Sequence, residues 1–193
     1  MRSRPIRQGI VRGMLLLARG RAVGLAEFGE TPEAFLASLA PLIAFPLVFG
    51  VLLLLNGGGW QAVGDFLAAL CALLAPPVLS QLLARLWRRE TLWLRYATAF
   101  NWCQWVLPVV AGLALLGVPV LAALGADTVT AARAAVLVIC GYGLWLHWFL
   151  ARRGLNLSGL RAALLVIAVN LGTGVLVFGP QLIALATKEG IAR

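Results

Sequence analysis

Carboxylates, histidine and cysteine are all scarce here: seven Asp and Glu, one His and three Cys in 193 residues. A divalent metal that handles phosphate needs several carboxylates or imidazoles held together. Glu27, Glu30, Glu33, Glu90, Asp127 and Glu189 lie instead in flanks or loops, and Asp65 at the start of an apolar run. Serine chemistry within a membrane would require His147 to activate Ser38, Ser80 or Ser158, none of which sits on a glycine-flanked elbow. One histidine also excludes bis-histidine haem within a single chain. Cys71, Cys103 and Cys140 all fall in apolar segments and read as small hydrophobes, not as disulfide or zinc ligands. The expectation is a protein that is not an enzyme and has no cofactor or metal. Charge is sparse too, at 12% of residues, where soluble domains carry about a quarter.

Apolar residues are plentiful, at 62%. A chain of this length cannot hide so much apolar surface in one water-soluble core, so its solvent is lipid. The net charge of +9 would point to nucleic acid in a soluble protein, but here the arginines stand in short blocks between apolar runs, as topology determinants do. No nucleic-acid partner is expected. The predicted architecture is all-α and polytopic: an N-terminal segment over 1–30, a five-helix membrane domain over 31–187 and a short tail over 188–193.

The spans are predicted at about 35–55, 63–86, 96–116, 131–150 and 162–186, each long enough to cross about 30 Å. Thr31-Pro32-Glu33 is a helix-start signal, with Thr31 as N-cap, Pro32 at the first helical position and acid in the first turn. Pro41 and Pro46, Pro76-Pro77, Pro108 and Pro180 interrupt four spans, Gly141-Tyr142-Gly143 the fourth, and 117–127 reads as an apolar exit loop. Five spans do not divide into inverted halves, and no internal repeat stands out.

Arginine and lysine number six in the N-terminal segment, four in 85–95 and three in 152–161, whereas the other three connections carry one, none and two. Thirteen against three predicts a cytoplasmic N-terminus and a periplasmic C-terminus in a bacterial-type inner membrane. Trp87, Trp93, Trp145 and Trp148 are then placed at the cytoplasmic interface. Within residues 4–24, Gly9, Gly13, Gly20 and Gly24 share a sector of about 60° with aliphatic neighbours, opposite most of the arginines. This predicts an amphipathic interfacial helix, or a face for close packing on a partner helix.

The candidate functional residues are polar ones at membrane depth. Ser38, Ser80, Gln81, Asn101, Gln104 and His147 all fall in the third of the spans nearest the basic ends, with Asn170 and Thr173 deeper. Polar side chains at that depth avoid lipid, so Gln81, Asn101, Gln104 and His147 are expected to form an intramembrane cluster, either structural hydrogen bonding or a ligand site. Asn101 and Gln104 are expected to meet Gln81 or His147.

The entry from Arg19-Gly20-Arg21 to Pro32-Glu33-Ala34-Phe35, five closely spaced spans and the predicted orientation together resemble the Yip-domain family of membrane proteins, including its bacterial relatives. The resemblance implies a non-enzymatic protein acting through membrane organisation or assembly of partner membrane proteins. Its expected partners are the lipid bilayer, other membrane proteins or a second copy of itself. The other class left open is a small transporter or channel subunit using the polar cluster.

Overall fold

The computed structural model describes residues 6–57 and 59–191, with side chains for 9–57, 59–60 and 63–179. The chain is helical: α1 (Ile6–Ala18), a 3₁₀ segment (Ala22–Glu27), α2 (Pro32–Leu55), α3 (Gly59–Leu86), α4 (Glu90–Cys103), α5 (Val106–Ala123), α6 (Thr128–Gly154) and α7 (Gly159–Ile191). Five stretches are long and apolar enough to cross a membrane, one of them formed by α4 and α5 together. The expected bundle is therefore present, and most helices extend a few residues beyond their predicted ends. Thr31 caps α2, its Oγ1 accepting from the Ala34 N–H at 3.3 Å. Asp127 caps α6, accepting from the Thr130 N–H at 2.9 Å. Hydrogen bonds from Thr130 hold the Asp127 carboxyl below its ordinary range.

Helix ends share one device. At α1, α3, α5 and α6 the chain turns through a left-handed residue, Gly20, Arg88, Gly125 and Asn156 respectively. In each case the following N–H reaches back five residues to a helix carbonyl: Arg21 to Leu16, Arg89 to Ala84, Ala126 to Leu121 and Leu157 to Arg152. This is the Schellman closure, which satisfies carbonyls that a helix C-terminus leaves bare. At Gly125 it replaces the expected loop from residue 117, because α5 continues to Ala123.

The third span departs from its expected continuity. α4 stops at Cys103, Gln104 and Trp105 form a turn, and α5 restarts at Val106. The cause is Pro108, which lacks an N–H for the Gln104 carbonyl and whose ring crowds that same oxygen four residues upstream. The carbonyl is taken by the Leu107 N–H at 3.2 Å, and Trp105 N–H bonds Trp102 at 3.2 Å, both three-residue closures of the 3₁₀ kind. In the fourth span, by contrast, Gly141-Tyr142-Gly143 produces no break, and α6 is one helix.

That break divides the bundle. α4 sits at the centre, against α1, α2, α3, α6 and the 3₁₀ segment, with Tyr96 to Asn101 buried without interruption. A helix buried on every side is a core helix. Beyond the break, α5 has no buried residue and packs chiefly along α6. The core accordingly lies at one end, where the 85–95 and 152–161 segments and the 3₁₀ segment meet, around Leu17, Ala84, Tyr96, Leu146, Leu150, Leu155 and Leu165. We call this the basic end. Small residues let the helices approach there, Ala84, Ala99, Ala151 and Ala162 being wholly buried.

The N-terminal segment differs from one interfacial helix over 4–24. α1 ends at Ala18, and the 3₁₀ segment folds back against it. The glycine face makes this possible: a Cβ on Gly24 would lie 2.7 Å from the Gly13 carbonyl oxygen, and one on Gly13 would lie 2.7 Å from the Phe28 ring. The stripe thus packs on the chain's own return. Leu17 is fully buried in the core, while Val11, Leu15 and Val23 stay more than half exposed.

Candidate functional site

The polar residues of the basic half resolve into separate pairs. Ser38 stands on α2 and donates to the Phe35 carbonyl at 2.6 Å, which turns its oxygen lone pairs towards α4. There Asn101 donates from Nδ2 to Ser38 Oγ at 2.9 Å. Ser38 is 0% and Asn101 2% exposed, so the bond is closed to solvent and lipid alike. On α3, Ser80 donates to the Pro77 carbonyl at 3.0 Å and accepts from the Trp93 indole N–H at 3.1 Å. Thr98 bonds back to the Leu94 carbonyl at 2.8 Å.

Gln104 and His147 form a further pair. The Gln104 Nε2 lies 3.4 Å from His147 Nε2, close enough for the amide to donate to an unprotonated ring nitrogen. The Phe100 ring covers the imidazole with centroids 4.8 Å apart. Both polar side chains are half-buried and sit at the break between α4 and α5, where backbone groups are already released from regular pairing.

Three expectations about this cluster are corrected. Asn101 meets Ser38, not Gln81 or His147. Gln81 does not join the cluster: half-buried on α3, it forms no side-chain hydrogen bond among the described residues, and its neighbour Ser80 takes the inward position. Asn170 does not extend the layer either, because its Nδ2 bonds the Val166 carbonyl of its own helix at 2.8 Å. Thr173 Oγ1 is closed off without a partner among the described residues. Among the described residues, no three His, Cys, Asp or Glu side chains come together as a metal would require, and Asp65 is exposed.

The tryptophans assigned to an interfacial belt are partly core. Trp93 is 8% exposed, with its ring 5.2 Å from Phe35. Trp148 donates to the Gly159 carbonyl at 3.0 Å and ties α6 to α7. Sequence reasoning also missed Tyr142, whose hydroxyl donates to the Ala18 carbonyl at 2.9 Å and fixes the end of α1 on α6. A buried indole or phenol needs a hydrogen-bond partner, and that requirement was the available signal.

Five membrane-crossing helices joined by buried polar pairs define a multi-pass helical membrane protein. No protein-family model, curated protein or solved structure matches the chain.

Proposed function

We propose that this is a non-enzymatic protein of a bacterial-type inner membrane that organises or assembles other membrane components, with its basic end in the cytoplasm. The observation that carries this reading is the Asn101–Ser38 bond, which is dry and mutually satisfied, as a structural layer should be. A second feature supports it: Val109, Leu113, Leu116 and Val120 follow one face of α5 and are each 59% exposed or more. Such a face suits lipid or the helix of another membrane protein. The implication of the Yip-domain resemblance agrees.

The Gln104 break favours a second reading, a small transporter, because discontinuous helices line binding sites in transporters. One experiment separates the two. Cysteines placed singly at Asn101 and Gln104 in a chain freed of Cys71, Cys103 and Cys140 are exposed to a water-soluble thiol reagent in native membranes. The assembly reading expects both to stay unreacted while an N101L/Q104L variant keeps its co-purifying proteins. Reaction at both positions would replace it with the transport reading.

A further inference from the structure

We propose that the basic end carries a pocket for a phosphate-bearing anion, supplied either by the headgroup of an anionic phospholipid or by free phosphate. A cavity of about 520 Å³ opens between the 3₁₀ segment, the first turns of α4 and the α6–α7 turn. Its size falls in the range of about 300–1,000 Å³ typical of small-molecule sites. Arg95, Arg152, Arg153 and Asn156 line it on the polar side, with Val23 and Leu157 among its apolar walls.

Three guanidinium groups around one cavity repel one another unless an anion lies between them. Glu30 is ion-paired with Arg95, which leaves two positive charges in the pocket without a carboxylate partner among the described residues. The Arg95 Nε is closed off from solvent and has no hydrogen-bond partner among the described residues. Arg152 is steadied by the Trp148 ring 5.2 Å beneath its guanidinium, so it is held near the cavity. Asn156 takes the left-handed position of the α6 closure, with φ of 51°, and that turn places the residue in the lining. Planar guanidinium forks match phosphate oxygens in pairs, better than they match a single carboxylate oxygen.

The position of the pocket bears on the source. It lies at one end of the membrane-crossing helices, at the level where headgroups stand, and Val23, 67% exposed, offers an apolar lip. Basic pockets between membrane helices at that level take anionic headgroups. This inference does not depend on the assembly reading, because an occupied pocket is equally compatible with transport.

The test uses the full chain purified in an uncharged detergent, with phosphatidylglycerol, phosphatidylcholine and sodium phosphate as probes. Native mass spectrometry counts retained lipid, and a thermal shift reads stabilisation by each probe. We expect phosphatidylglycerol to be retained at one per chain and phosphatidylcholine not to be. R152Q/R153Q should weaken that retention at least tenfold, whereas R85Q/R88Q, which removes the same charge at the same end, should change it less than twofold. If phosphate alone protects the protein and displaces phosphatidylglycerol, the pocket stands and free phosphate is its ligand. Should R152Q/R153Q fail to fold, N156D brings a negative charge to the lining without touching an arginine and should cause the same loss. Equal loss in both arginine pairs, unaltered retention in N156D, or equal retention of the two lipids without a phosphate effect would overturn the proposal.

Discussion

Asn101 on α4 and Ser38 on α2 are joined by a 2.9 Å hydrogen bond across 63 residues of sequence, at a point where neither side chain is more than 2% exposed. The bond ties the central helix to the first span, and the Phe35 carbonyl fixes the serine that receives it. Measured polar contacts between membrane helices average about 0.6 kcal/mol and reach about 1.7. A double-mutant cycle of N101A and S38A, followed by unfolding in mixed micelles, should give a coupling of about 0.5–1.5 kcal/mol. Strict additivity would mean that the pair does not hold the helices together.

Docking of the N-terminal segment rests on the absence of side chains at Gly13 and Gly24. Gly24→Ala places a methyl group 2.7 Å from the Gly13 carbonyl oxygen, which must push the 3₁₀ segment off α1. Overpacking of this kind costs about 1–3 kcal/mol. A cysteine at Leu17, fully buried in the parent, should become reactive to thiol reagents in that background. Gly64→Ala, where a Cβ meets nothing within 4 Å, is the control and should leave Leu17 protected.

Pro108 is expected to hold the third span in two pieces. In Pro108→Ala the residue regains an N–H for the Gln104 carbonyl, and a penalty of about 3 kcal/mol against continuous helix disappears. The span should straighten and α5 should swing relative to α2. Spin labels at Leu52 and Leu116, both exposed, would report this as a shifted distance distribution. An unchanged distribution would show that packing against α6, not the proline, sets the break.

The thirteen-to-three charge asymmetry predicts the orientation, and the bundle adds a testable requirement: the α6–α7 turn must lie on the same side as the 3₁₀ segment, because both line one cavity. In a chain freed of its native cysteines, an impermeant maleimide applied from the periplasm should label Leu124→Cys and spare Ser158→Cys. The reverse pattern would invert the protein in the membrane.

Much of this protein was legible without coordinates, because lipid is a simple solvent. A segment either has enough consecutive apolar residues to cross or it does not, and 62% apolar composition with arginine confined to short blocks determines five helices and the segments that gather at one end. Local chemistry was equally readable: Thr31 caps α2 because its oxygen lies three residues from the N–H it accepts. Depth places Gln104 in one layer with Gln81, Asn101 and His147, since depth limits which residues can meet, but it does not choose among them.

Tertiary structure decided the rest. Helical spacing says which face a residue occupies but not which neighbour faces it. Asn101 therefore found Ser38 rather than Gln81 or His147, and Ser80 displaced Gln81 as the inward residue of α3. The glycines of the N-terminal segment announce a close approach, yet only the turn at Gly20 shows that the approaching surface is the chain itself. Arg95, Arg152 and Arg153 are 57 or more residues apart in two groups, and charge counting treats them as one topology signal among many. They become a pocket only because α4 runs through the centre of the bundle and brings Arg95 beside the end of α6, a placement set by long-range packing that no local pattern encodes.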